Sequence, residues 1–422
     1  MRLNVTSEIG KLKSVLVHLP GREIDVMVPP MMAQLLFDDI LYGQVAREEH
    51  RRFQQLIRFI ADDVYDIQDL LEEVLEDEET KRLIVRDLAK RNRLGRRLVG
   101  ELIEQKPAQL AEVLIGGIPH EKEESGELPK FDLAPVPNYF FMRDPQVVVG
   151  DRVVVSSMAT QARRRESLLS RYVFLFHPLF RDQQDIFLVD FMRDAPERRT
   201  RRMPTLEGGD VLVPRSDLLV VGVSERTNRA GMEELAASLT ASKSGVRSMI
   251  VVELPRARSF MHLDTVFTFI SRHECLIYPP VILPGGSQAA KVTAVDLTKK
   301  VPHYSEQKSL MAALKKKGFD LKPISCGGPR AVDQQREQWT DGANAFALAP
   351  GIILLYERNV KTAEELDHHG YHLVYEDDLL LGRTELETWT NKKYALQIQG
   401  HELSRARGGP RCMTMPLERE DV

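Results

Sequence analysis

Cysteine is scarce in this chain. Three occur among 422 residues, Cys275, Cys326 and Cys412. Three cannot build a disulfide framework, and no Cys-x-x-Cys pair offers a zinc site. A membrane-length apolar run is also missing, and Met1 to Gly10 lacks the apolar core of a signal peptide. Neither sign of charge dominates. The net charge is -4 and the pI about 6.3, which gives no reason to expect nucleic-acid binding. These absences exclude a secreted disulfide scaffold, a membrane protein and a basic nucleic-acid binder. The expectation they leave is a cytoplasmic protein in a reducing compartment.

What is present is ordinary: 43% hydrophobic and 28% charged residues, in a length that suits two or three domains or one large domain with an insertion. Lys13 to Leu19 reads as a strand ended by Pro20-Gly21. Leu35 to Leu41 is apolar with Asp38 and Asp39 inside it, most simply two solvated acids at a turn. From Gly43 to Gly116 apolar residues recur at helical spacing, Phe53, Leu56, Ile57, Ile60, Val64, Ile67, Leu70, Leu71 and Val74 among them. Proline is absent from that stretch until Pro107, and the intervening positions are charged. The spacing predicts an all-helical bundle over 43–116 inserted into a domain made of 1–42 and 117–422. Glu121 to Pro129 reads as a polar loop leading out of it.

From Pro135 a different rhythm repeats. Val147 to Val149, the turn Gly150-Asp151 and Arg152 to Ser157 predict a hairpin, followed by a helix and a strand at Ile186 to Phe191. Val211 to Val213 and Leu218 to Ser224 begin a second unit, and Thr265 to Ile270 with Cys275 to Tyr278 a third. Phe346 to Leu348 and Ile352 to Tyr356 begin a fourth, completed by a helix near Thr362 and a strand at Tyr371 to Tyr375. The N-terminal strand and Lys393 to Pro416 supply a fifth between them. A recurring hairpin–helix–strand unit predicts radial or stacked repetition of one supersecondary element.

The polar motifs fall at matching places, just before the first strand of each hairpin. They are Asn138 to Asp144, Glu207-Gly-Gly-Asp210, His262-Leu-Asp264, Asp341-Gly-Ala-Asn344 and Gly408 to Cys412. Taken singly, each has an ordinary reading as a turn former or a hydrogen-bonded core residue. Their shared position favours convergence on one central pocket. Gly408-Gly409-Pro410 predicts a tight turn with unusual backbone angles, with Cys412 just beyond it. A thiol placed there suits reactivity better than packing.

The set Asn138-x-x-Phe141-x-Arg143-Asp144, Glu207-Gly-Gly-Asp210, His262-x-Asp264 and Gly-Gly-x-Arg-Cys412-Met-Thr-Met-Pro resembles the arginine deiminase family. The resemblance spans almost the whole chain, including the helical stretch and Phe37 to Asp39. It implies the five-bladed α/β-propeller (pentein) fold of the guanidine-modifying superfamily. That fold is an α/β architecture of ββαβ modules with pseudo-fivefold symmetry. The resemblance further implies hydrolysis of free L-arginine to L-citrulline and ammonia, the first step of a catabolic pathway. No metal or other cofactor is implied, and a homo-oligomer, dimer or tetramer, is expected.

The family pattern places catalysis on Cys412, His262, Glu207, Asp144 and Asp264. A guanidinium carbon is a weak electrophile, so attack by a thiolate is a sensible route. His262 would protonate departing ammonia and then activate the hydrolytic water. Glu207 would hold His262, while Asp144 and Asp264 would grip the guanidinium through charge-assisted hydrogen bonds. Arg163 and Arg226 are implied at the substrate carboxylate, with Asn138 assisting and Phe141 beside them. The run Arg163-Arg164-Arg165 leaves that choice open, and Arg407 is placed to gate the pocket. Three alternatives stay open. One is another guanidino hydrolase or amidinotransferase of the superfamily. The second is a metal-dependent hydrolase using His262, Asp264, Glu207 and Asp210. The third is a non-catalytic arginine-binding protein.

Overall fold

Valine-rich runs define the sheets. Gln146–Val149 and Arg152–Val155 are strands joined at Gly150, whose φ of +61° suits the hairpin turn. Their apolar residues are buried on both faces, as continuous rather than alternating hydrophobic runs require. The computed structural model describes residues 1–120, 130–181, 183, 185–193, 203–242, 244–299 and 301–422. The polar loop expected over Glu121–Pro129 lies outside the described residues. None of the described helices is long and apolar enough to cross a membrane.

Five mixed sheets of three or more strands are present among the described residues. The second holds the hairpin just described, with Phe187–Asp190 parallel to its inner strand. The same order recurs. Leu218–Val223 pairs antiparallel with Val211–Arg215 and parallel with Ser248–Glu253. Glu274–Ile277 pairs antiparallel with Phe267–Phe269 and parallel with Lys322–Ser325. Ile352–Tyr356 pairs antiparallel with Phe346–Ala349 and parallel with Lys393–Ile398. The remaining sheet joins the two ends of the chain. There Leu12–Val17 lies between Met415–Arg419, antiparallel, and Asp63–Asp66, parallel.

Three expectations change. The stretch 43–116 is not wholly helical. Helix Gly43–Ile57 leads into the strand Asp63–Asp66, so both belong to the terminal sheet's unit and the purely helical segment starts at Ile67. Val64, half-buried in that strand, and Ile60, in the turn before it, fit a helical period by spacing alone. Lys393–Ile398 joins the fourth unit, inserted between Ile352–Tyr356 and Tyr371–Tyr375, and does not help build the fifth. Lys291–Asp296 and His303–Gln307 extend the sheet of Val211–Arg215, Leu218–Val223 and Ser248–Glu253 by an additional hairpin.

The helices from Ile67 to Gly116 have conventional starts. Asp66 and Asp77 accept from the backbone N–H groups of Gln68 and Thr80, and Pro107 occupies a first turn. Their apolar faces do not form a separate core. Leu71, Val85 and Leu114 share one buried cluster with Val147, Val153 and Leu169 of the second sheet and its helix.

A shared core predicts shared unfolding. Leu71 is fully buried, and Leu71→Ala should cost about 2–5 kcal/mol. Helical circular dichroism and tryptophan fluorescence should then lose their midpoints together, because Trp339 and Trp389 both lie outside the helical segment. A separate helical transition at lower temperature, with fluorescence unmoved, would contradict a common core.

Candidate active site

The five polar motifs are tied to one another in a closed ring of hydrogen bonds. Gly208 N donates to Asp144 O at 3.1 Å, and Leu263 N to Asp210 Oδ1 at 2.9 Å. Asn344 Nδ2 donates to Asp264 O at 3.1 Å, and its Oδ1 accepts from Cys412 N at 3.1 Å. Arg143 N donates to Cys412 O at 3.0 Å and closes the circle. Each unit therefore delivers its leading turn to the next.

The glycines serve close approach. A Cβ on Gly209 would sit 2.7 Å from the His262 ring, and one on Gly408 would sit 2.2 Å from the Phe141 ring. The unusual backbone angle expected at Gly408 and Gly409 falls instead on Arg407, with φ +66°. The glycines matter because the neighbouring rings leave no room for a side chain.

A cavity of about 20 Å³ lies on the inner side of this ring, lined by Asn138, Phe141, Asp144, Arg163, Arg226, His262, Arg407 and Cys412. That is space for about one water. Eight of the ten expected site residues thus line the cavity, and the other two, Glu207 and Asp264, each hold a group that does. The Cys412 thiol donates to Asp264 Oδ2 at 3.9 Å, and His262 Nε2 lies 2.9 Å from Glu207 Oε2. His262 Nδ1 is 3.7 Å from Asp144 Oδ1. Asn138 is turned by its amide to Leu35 O, at 2.8 Å.

Burial opposes charge on His262, but Asp144, Glu207 and Asp210 outweigh it and raise the imidazole to about 9. Burial would raise Glu207 as well. The His262 hydrogen bond, with Arg226 and Arg163, holds it far below the ordinary carboxylate value instead. The Cys412 thiol is pushed well up by burial and by Asp264, Asp144 and Asp341. The resting pair is therefore an imidazolium and a neutral thiol.

Arg163 is the residue that departs from expectation. All three of its guanidinium nitrogens donate within the protein: Nη1 to Asp144 Oδ2 at 2.7 Å, Nε to Glu166 at 3.0 Å, and Nη2 to Glu166 Oε2 at 2.8 Å. It lines the cavity, but as the partner of two carboxylates and not as a free cation. Arg226 is the opposite case. It is 6% exposed, and its Nη1 has no hydrogen-bond partner among the described residues. Its Nη2 reaches only Met261 Sδ, at 3.5 Å. Arg407 likewise keeps Nε and Nη1 unpartnered, with its guanidinium 3.4 Å above the Trp339 ring.

Three residues the sequence did not single out complete the arrangement. Arg411 donates to Asp264 Oδ2 at 2.8 Å and to Glu8 at 3.1 Å and 3.2 Å. Glu166 fixes Arg163. The i,i+3 spacing of Arg163 and Glu166 on one helix was a usable signal, as was the charge directly beside Cys412. Glu8, some 400 positions away in sequence, carried none. Asp144, Glu207 and His262 present ligand atoms within 4.8 Å of one another, but a cation there would meet Arg163, 2.7 Å and 3.9 Å from two of them. Asp210, of the metal-ligand alternative, turns away to Ser224 Oγ at 2.6 Å and Leu263 N. Cys275 and Cys326 are buried thiols raised by desolvation, and neither lines the cavity.

Comparison with known proteins bears on this geometry. The family model described as arginine deiminase matches residues 33–419. An arginine deiminase of Bacillus thuringiensis subsp. konkukian is 33% identical over 438 residues, covering 100% of this chain and 99% of its own. One of Streptococcus sanguinis is 33% identical over 441 residues with the same coverage. Among solved structures, the N-terminal domain of ArgZ with a covalently bound reaction intermediate aligns at a TM-score of 0.50 and 14% identity. It covers 96% of this chain and 98% of that one. A complex of an AgrE mutant with L-arginine aligns at 0.52 and 14%, over 98% of this chain and 40% of that one. These two carry the fold alone. Matched over nearly its whole length by model and relatives alike, the chain belongs to the arginine deiminase family.

Proposed function

We propose that the protein hydrolyses free L-arginine to L-citrulline and ammonia through a covalent thiouronium on Cys412. The observation that carries this is a pair of buried carboxylate oxygens, Asp144 Oδ1 and Asp264 Oδ1, without hydrogen-bond partners among the described residues. Buried acceptors of that kind are costly until a cation donates to them. A guanidinium offers planar, paired donors that suit two carboxylates flanking a thiol. Its charge would also offset the carboxylates that keep Cys412 protonated.

As the cation binds, the Cys412 thiol releases its proton to solvent, and the thiolate attacks the guanidinium carbon. His262, already protonated, gives a proton to the departing amine, and ammonia leaves. The S-alkylthiouronium remains. His262, now neutral, takes a proton from water, whose oxygen adds to the carbon, and the C–S bond breaks to release citrulline and the thiol. Glu207 holds the imidazole throughout. Arg163 orients Asp144 and Glu207 and is not a reader of the substrate carboxylate. Arg226 takes that part, helped by Asn138. The small cavity requires Arg407 to swing aside for substrate to enter. The five sheets support a reading as five blades of a propeller, with the helices 67–116 as an excursion from the first. A cytoplasmic home and a homo-oligomeric state complete the proposal.

The direct test is incubation with arginine, followed by assay for citrulline and ammonia across pH. His262 must carry its proton in the free enzyme, so kcat/KM should fall as pH rises through about 9. The same raised value stabilises the fold, fully below about 6.5 and not at all once pH passes about 9. A rate that climbs steadily through that range would remove His262 as the acid.

Arg226→Ala should weaken arginine far more than agmatine, which has no carboxylate. The loss for arginine should be on the order of 2 kcal/mol or more in kcat/KM. Equal losses for both substrates would show that Arg226 does not read the carboxylate.

A further inference from the structure

Three consecutive arginines stand at the start of helix Arg164–Phe176, and they do not face the same space. Arg163 lines the catalytic cavity. Arg164 and Arg165 line a second cavity of about 340 Å³, together with Arg91 and Asn92 from the helical segment and Gln161 and Thr160 from the loop before the helix. That volume is in the range of small-metabolite sites.

The cations around it are not equivalent. Arg91 Nε donates to both oxygens of Asp87 at 3.0 Å, and Arg164 Nη1 to Gln161 Oε1 at 3.2 Å. Arg165 is 8% exposed, and its one side-chain hydrogen bond goes to the carbonyl of Ala134. Its Nε is buried without a partner among the described residues. The adjacent carboxylate cannot serve it, because Glu166 commits both oxygens to Arg163. Asp132, which also lines the cavity, is hydrogen-bonded to His120 at 2.9 Å. Burial pulls Arg165 down to about 10, opposed only by Glu166. A guanidinium buried without a bonded carboxylate is destabilising unless an anion joins it. The first turn of the helix adds its own partial positive charge at the same place.

We propose that this second cavity binds a small oxyanion, a phosphate or carboxylate group, held by Arg165 with Arg91 and Arg164. The site is distinct from the catalytic cavity and touches it through one chain of contacts. Arg165 adjoins Glu166, which holds Arg163, which holds Asp144.

The test is thermal denaturation of the full chain titrated with inorganic phosphate, against chloride at matched ionic strength, with acetate as a second arm. The series is run on wild type, Arg226→Ala, Arg165→Met and Arg165→Gln. Phosphate or acetate should raise Tm saturably in wild type and equally in Arg226→Ala, which places binding away from the catalytic cavity. Either Arg165 variant should weaken that binding by about tenfold or more. Without added anion Arg165→Met should melt no lower than wild type, since an unpaired buried charge is removed. A response to phosphate alone assigns a phosphoryl ligand, and a response to acetate as well assigns a carboxylate. No saturable shift with either anion overturns the proposal. So does a shift that survives both Arg165 variants, or one that disappears in Arg226→Ala.

Discussion

The constraint on which the site depends is the ring of hydrogen bonds that links the leading turns of the five units. Backbone N–H and carbonyl groups at these turns have left their sheets and must be satisfied elsewhere. Many pair within their own turn, at least one link joins each turn to the next, and Cys412 both donates to Asn344 and accepts from Arg143. Held on both sides by neighbouring units, Cys412 has little freedom to drift. The glycines follow from the same closeness, since Gly209 must pass against His262 and Gly408 against Phe141.

Closeness of the turns crowds charge into a dry volume. Asp144, Asp264, Glu207 and Glu166, all buried, and the partly exposed Glu8 are opposed by the buried Arg163, Arg411, Arg226 and His262. Most of these groups are paired: Arg411 bridges Glu8 and Asp264, and Arg163 bridges Asp144 and Glu166. Those pairs fix the orientation of each carboxylate and leave one oxygen of Asp144 and one of Asp264 without a donor among the described residues. The imbalance is concentrated beside the thiol, where a cationic substrate would relieve it. The neutral thiol and charged imidazole of the resting site fit the same logic, since the surrounding carboxylates favour the protonated form of both.

Much of this was legible in the chain. The motifs stand out because each precedes a hairpin, and position along a repeat is visible without coordinates. The strand Asp63–Asp66 was not, because Val64 also fits the helical period running through its neighbours. Lys393–Ile398 lies in the fourth unit although chain order points to the fifth, since chain order says nothing about a strand slipping between two others. Arg163 shows a different limit. A buried arginine near a pocket can bind substrate or anchor a carboxylate, and its hydrogen bonds to Glu166 and Asp144 are invisible in the sequence. Glu8 lies at the far end of the sequence from Cys412, and only the closing of the terminal sheet brings it to Arg411.

The central claim is that Cys412 carries the substrate covalently. The most direct measurement is intact-protein mass spectrometry after rapid acid quench, with a His262→Ala variant and an arginine analogue bearing a better leaving group than ammonia. Such an analogue can load the thiol without an acid, while hydrolysis lacks its base. The account predicts a persistent adduct equal to the substrate less its leaving group, placed on Cys412 by peptide mapping and missing from Cys412→Ser. Decay of the adduct at the wild-type rate, or an adduct on Cys275 or Cys326, would contradict it.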